Sequence, residues 1–205
     1  MANEIHNYPI STALIGDLDY YDTDRWNGSA YESAKIQGVD LKNELKTFLA
    51  KDRGQFYDST TQSVVAINTP TAMKLNNSDA LNLGITVVPD IFATPNLITV
   101  AKTGVYNLQF SAQIERGSGG SPKQISIWLR KMGADLPETN TDLTLVANSG
   151  KLVGAWNWLV DLTAGEHVEI MYSVNDISIQ LVAQANDIIV PHPATPSVIV
   201  TMIEI

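Results

Sequence analysis

The sequence predicts a mainly β protein: one compact antiparallel sandwich behind a small N-terminal hairpin and helix. Three observations predict it. After Gly54, apolar and polar residues alternate with period two through run after run. Clusters of turn residues separate these runs, with no helical pattern between them. Val, Ile, Leu, Thr, Ser and Asn abound, while charged residues make up only 17% of the chain, below the usual quarter.

The pattern divides the chain near Lys51 to Gly54, into residues 1–53 and residues 54–205. In the first part, Tyr20-Tyr21 and the stretch Trp26-Asn27-Gly28-Ser29-Ala30-Tyr31 read as a small hairpin with an Asn-Gly turn. Lys35-Ile36-Gln37-Gly38 then leads into a helix. Asp40 is a suitable N-cap, and Leu41, Leu45, Phe48 and Leu49 fall on one face. Lys51 and Arg53 sit at the expected helix end, with Gly54 beyond. A helix of about three turns is marginal alone in water. Its apolar stripe must be covered by the main domain, a sister chain or a host structure.

The second part reads as strands. Tyr106, Leu108, Phe110, Ala112 and Ile114 share one face, and Asn107, Gln109, Ser111 and Gln113 the other. Ile125, Ile127 and Leu129 repeat the pattern. So do Trp156, Trp158, Val160 and Leu162, then Val168, Ile170, Tyr172 and Val174, then Ile177, Ile179 and Leu181. Lys102-Thr103-Gly104, Gly117 to Pro122 and Ala164-Gly165-Glu166 supply the turns.

The last strand differs. Pro196 to Ile205 is apolar on nearly both faces, unlike a half-exposed strand. One face can bury in the sandwich core. The other needs a cover, supplied either by a neighbouring subunit or by the chain's own loops.

Composition excludes several functions. A net charge of −9 argues against a nucleic-acid groove, which needs clustered Lys and Arg. No apolar run approaches the roughly 20 residues that span a membrane, so membrane insertion is not expected. The start, Met1 to His6, lacks a basic n-region and an apolar h-region, so it does not read as a signal peptide. Without cysteine there is no disulfide framework and no thiolate metal site.

Tests for chemistry point away from catalysis, and no cofactor or metal is expected. Asp17, Asp19, Asp22 and Asp24 do not have the spacing of a calcium loop and read as a solvated strand and turn. His6, His167 and His192 are scattered, with no i, i+4 partner. Gly117-Ser118-Gly119-Gly120-Ser121 lacks the Gly-Lys-Ser/Thr ending of a phosphate loop and precedes Pro122, so it reads as a hairpin loop. No Gly-x-Ser-x-Gly elbow occurs. Trp156 and Trp158 belong to a core face. Trp128 lies opposite Ile125, Ile127 and Leu129, which places it outward or at an interface and makes it the expected surface ligand contact.

Thr103 to Phe110, Leu162 to Ile170, and Ser197-Val198-Ile199-Val200-Thr201 resemble the compact jelly roll of the complement and tumour-necrosis-factor superfamily. That family shows a Gly-x-Tyr strand, a Leu-x-x-Gly-Asp turn before a strand, and a closing strand. Glu166 stands where Asp is common there. Gln124 to Thr141, with Gly133-Ala134-Asp135-Leu136-Pro137 inside it, and Gly154-Ala155-Trp156-Asn157-Trp158 resemble such domains in structural proteins of tailed bacteriophages. Ile10 to Leu14 and Lys35 to Leu41 are similar to attachment segments of phage fibres.

The resemblance implies a homotrimer with the last strand near its axis. The trimer contacts expected from it are Val198, Ile199, Val200, Met202 and Ile203. It implies a virion protein, a head or tail fibre or a capsid decoration protein, on the surface of the phage particle. Residues 1–53 would attach it to capsid or tail proteins through the helix bearing Leu41, Leu45, Phe48 and Leu49. The jelly roll would project and serve host attachment, with host-surface glycan as a partner. The competing reading is a bacterial lectin-like carbohydrate-binding module.

Overall fold

A computed structural model describes residues 20–26, 31–117, 119–146 and 150–205 of the chain. It divides into two compact units, one ending at Ala50 and one spanning Lys51–Ile205. In the first unit, β1 (Tyr20–Trp26) and β2 (Tyr31–Gln37) pair antiparallel, with Trp26 opposite Tyr31. The Asn27-Gly28 turn lies outside the described residues. Helix α1 (Gly38–Leu49) follows directly. Lys35, Ile36 and Gln37 are therefore strand, and Asp40 falls within the first helical turn instead of ahead of it. There its charge complements the helix dipole, as Lys46 does in the last turn.

In the second unit, Arg53 does not close a helix. It opens β3 (Arg53–Asp58), in which Gly54, Phe56 and Asp58 are buried while Arg53 and Gln55 face water. The strands that follow are β4 (Gln62–Ser63), β5 (Thr71–Ala72), β6 (Asn77–Ser78), β7 (Ile85–Pro89) and β8 (Pro95–Val100). Then come the long ones, β9 (Gly104–Arg116), β10 (Lys123–Lys131), β11 (Ala134–Leu145), β12 (Lys151–Leu162) and β13 (His167–Val174). The described chain closes with β14 (Ile179–Leu181) and β15 (Val198–Glu204).

These strands form two antiparallel sheets, a β-sandwich, as the alternation predicts. The six-stranded sheet runs β11, β10, β13, β8, β7, with β5 also paired to β13. The seven-stranded sheet is built around β9. One edge of β9 pairs with β12 from Gly104 to Glu115, and the other with β15 and then β14. Beyond β15 lies β3, and beyond β3 lies β6.

The core contains the predicted inward faces and adds Phe56, Met73, Ile85, Ile98 and Val100 from segments between Arg53 and Val100 that the alternation did not single out. Tyr106, Leu108, Phe110, Ala112 and Ile114 of β9 are buried, as are Ile125, Ile127 and Leu129 of β10 and Val168, Ile170, Tyr172 and Val174 of β13. Burying one such aliphatic side chain contributes about 1.5–3 kcal/mol. Phe110 stacks on Trp158 at 5.0 Å and meets Trp156 edge-on at 4.6 Å. Gly154 faces this core from β12, where an added Cβ would sit 3.2 Å from Ile114 and 3.3 Å from Leu143. The close approach of the sheets there accounts for a glycine inside a strand.

Local rules explain two irregularities. The turn from β10 to β11 has Lys131 opposite Ala134, with Met132 and Gly133 both at positive φ, 50° and 82°. That is the two-residue hairpin whose twist matches the strands. Further on, the register jumps, so that Ile127 faces Thr141 while Leu129 faces Leu136. The extra residues of β11 hold Pro137, which a regular ladder would reject. Thr139 pins this bulge, accepting from Leu129 N at 2.8 Å and donating to Leu136 O at 2.6 Å. One predicted core residue is displaced. Ile177 is exposed, because Asp176 accepts from Ser178 N and Oγ and makes the segment a turn.

Candidate functional site

The outward face of the seven-stranded sheet is low in charge and rich in exposed aliphatic groups. Leu159, Asn107, Ile203 and Arg53 stand side by side across β12, β9, β15 and β3, and a bridge continues from Arg53 to Leu83. Leu159 is 64% exposed and Ile203 43%. Val105 and Ile205 are also exposed beside this row, joined by the Ile205 N to Val105 O hydrogen bond at 3.0 Å. On the β3 side, a groove of about 170 Å³ opens between Ile203 and exposed Leu81.

Two further rows cross the same face. One is Asn157, Gln109, Thr201 and Gln55, and the other Ala155, Ser111, Ile199, Tyr57 and Asn77. None of these nine residues is charged. The middle of the face is thus uncharged and partly aliphatic, with Arg53, Asp161 and Lys151 toward its margins, an arrangement that suits an association surface.

The residues predicted for a trimer interface separate onto two faces. Val198, Val200 and Met202 are fully buried and pack into the sandwich core of their own chain. They have no surface to offer a partner, because their side chains lie on the face of β15 that is turned into the core. Ile199 is half-buried and Ile203 exposed, and both belong to the outward face. The need for a cover on the second face of this strand is therefore met by no other part of the described unit at Ile203.

Of the predicted anchoring residues in α1, Leu45 is exposed and Leu49 is 69% exposed. The side chains of Leu41 and Phe48 lie outside the described residues.

Trp128 lies on the opposite side of the sandwich, on the outward face of the six-stranded sheet, and is half-buried. Its indole Nε1–H donates to Asp135 Oδ1 at 2.8 Å. Arg130 Nε donates to the same oxygen at 2.7 Å. The two bonds lock the indole and the guanidinium side by side. They also hold the Asp135 carboxyl below its ordinary range, the Arg130 bond contributing most. Across the sheet, Arg130 faces Glu169 and Trp128 faces Met171. Glu169 is only 9% exposed, and among the described residues no hydrogen bond or ion pair reaches its carboxylate. Burial pushes this carboxyl up. Arg130 and His167 pull it down, and Asp90 and Asp135 add to the upward push.

The other sequence candidates do not converge. Among the described residues, no group of three or more His, Asp or Glu side chains could hold a metal ion. Asp22 and Asp24 are in β1, opposite Lys35 and Ser33, while Asp17, Asp19 and His6 lie outside the described residues. His192 Nδ1 contacts the Pro193 carbonyl at 2.7 Å, and His167 pairs with Thr99 in β8.

The Gly117 to Ser121 loop has a foundation that sequence reasoning missed. Arg116 is 1% exposed, bonds the Ser121 carbonyl through Nη1 and reaches Asp176 Oδ2 through Nη2 at 3.4 Å. A signal was available. Arg116 shares its parity in β9 with Ile114 and Ala112, so alternation points it inward. Ser118 lies outside the described residues.

No protein-family model matches the chain, and no curated protein matches it.

Proposed function

We propose that this chain is a non-enzymatic structural protein of a tailed-phage virion, a fibre or decoration protein that assembles as a homotrimer. The observation that carries the assembly is the set of exposed aliphatic side chains Leu159, Ile203 and Leu83, set in one row with Asn107 and Arg53 beside two charge-free rows on the seven-stranded sheet. Ile199 and Ile203 supply the last strand's share of the interface. Stable interfaces bury about 800 Å² on each partner, with depleted charge at their centre. A four-strand-wide face suits that requirement.

The virion setting is supported by the resemblance of Gln124 to Thr141 and of Gly154 to Trp158 to phage structural proteins with a complement-like jelly roll. The strand pairing of β9 with both β12 and β15 is compatible with such a jelly roll. Residues 1–53 serve as the attachment segment. Exposed Leu45 and Leu49 on α1 are the side chains that seat on capsid or tail proteins. Leu45→Asp tests this by placing a charge in that contact. Loss of the protein from purified particles, with the β unit still folded, is expected. Unchanged incorporation would remove the anchoring role.

The lectin-like alternative draws on Trp128 and its neighbours. Glycan binding by a protein never found on particles would favour it over the virion reading.

A further inference from the structure

We propose that Trp128, Arg130, Asp135 and Glu169 form a binding subsite for a neutral pyranose of a surface glycan, on the outer face of the six-stranded sheet. The inference rests on the reading of the opposite sheet as the assembly face, since that leaves this one turned toward the surroundings.

The layout comes from register. Trp128 and Arg130 are two residues apart on β10, hence about 7 Å apart on one face. Glu169, the cross-strand partner of Arg130, lies about 5 Å away, while Met171 opposite Trp128 is buried and backs the patch without lining it. The patch has the footprint of one sugar ring. It is apolar at its Trp128 end and hydrogen-bonding at its Arg130 end. A pyranose has the same division, with a C–H face that packs on an aromatic ring and a rim of hydroxyls.

The polar groups are set to receive hydroxyls. Asp135 has already taken the indole N–H and Arg130 Nε, which fixes both side chains before a ligand arrives. The Nη groups of Arg130 carry no hydrogen bond among the described residues, so two or more donors remain. Glu169 is a carboxylate only 9% exposed to which no donor of the described residues bonds, so its oxygens are open to accept from a pair of hydroxyl groups.

Charge selects the ligand class. Two carboxylates against one guanidinium disfavour sulfated, sialylated or uronic sugars. Arg130, directly opposite Glu169, disfavours an amine in the same place. A neutral ring is what remains.

The full chain would be titrated with maltohexaose and with mannose and galactose oligomers, followed by tryptophan fluorescence and saturation-transfer NMR. Mass in solution would be measured in parallel. Saturable binding of at least one neutral oligomer is expected, weakened about tenfold or more by Trp128→Ala. Glu169→Gln should weaken it severalfold, and Trp128→Phe should retain part of the affinity, with thermal unfolding of each variant tracked as a check on the fold. No binding by any of the three oligomers at millimolar concentration would overturn the proposal, as would equal affinity in wild type, Trp128→Ala and Glu169→Gln. So would displacement of the Trp128 signal by spermine alone, which would make the site cationic-ligand-specific. A trimer that binds no sugar defeats this inference and leaves the assembly reading intact. A monomer that binds sugar through Trp128 does the reverse.

Discussion

Leu159 and Ile203 flank Asn107 from opposite sides in one row of the seven-stranded sheet, and both side chains are exposed. Their neighbours one position along, Trp158 and Met202, are buried. The same two strands thus carry a core face and an aliphatic outer face. The outer one has no partner within the described unit that would remove it from water.

The two faces of β15 should respond differently to truncation. Met202→Ala opens a cavity in the core and should cost about 2–5 kcal/mol in denaturant unfolding. Ile203→Ala removes an exposed group and should change the intrinsic stability of the chain by about 0.5 kcal/mol or less. It should nonetheless weaken self-association. Equal effects of the two substitutions on unfolding of a dilute monomer would mean that the faces have been assigned wrongly.

Arg116 and Asp176 tie the loop after β9 to the turn before β14. Asp176 has its carboxyl held below the ordinary aspartate range, first by the Ser178 backbone N–H and its hydroxyl, with Arg116 and Lys123 adding to the effect. A lowered folded pKa means stability that is present at neutral pH and lost as pH falls below about 4. Asp176→Asn should lower stability at pH 7 and blunt that acid loss. Hydrogen exchange should quicken mainly in residues 119–122, whose fold Arg116 supports. Exchange rates there unchanged from wild type would dissociate the pair from the loop.

Glu169 works in the opposite direction. Its folded pKa is raised by burial, so the folded chain holds the proton more tightly than the unfolded one. Stability from this group is present below the ordinary glutamate value, about 4.3, and declines as pH rises through the raised folded value. Glu169→Gln should therefore match wild type near pH 4 and exceed it at pH 7. Urea melts at the two values check this. A variant less stable than wild type at pH 7 would show that the charged carboxylate has a partner in the fold.

Much of the sandwich is legible in the sequence because half-buried strands write their faces into alternate positions. β9, β10, β12 and β13 are read that way, down to the inward pair Trp156 and Trp158. Arg53 is a different case. Its basic side chain suits a helix end locally, but its pairing with Ile203, 150 residues later, makes it a strand. The outer row of Leu159, Asn107 and Ile203 is hidden for the same reason, since each belongs to a different strand and only register joins them. For β15, alternation separated two apolar faces without saying which one met the core. Glu169 shows the limit at a single residue. Parity places it outward between Val168 and Ile170, yet it is only 9% exposed.

Mass in solution decides most about the assembly. Light scattering on the full chain at micromolar concentration should give three times 22.3 kDa, and Ile203→Glu should give a folded species of 22.3 kDa. A wild-type chain that stays at 22.3 kDa under these conditions would contradict assembly through the outer face of the seven-stranded sheet.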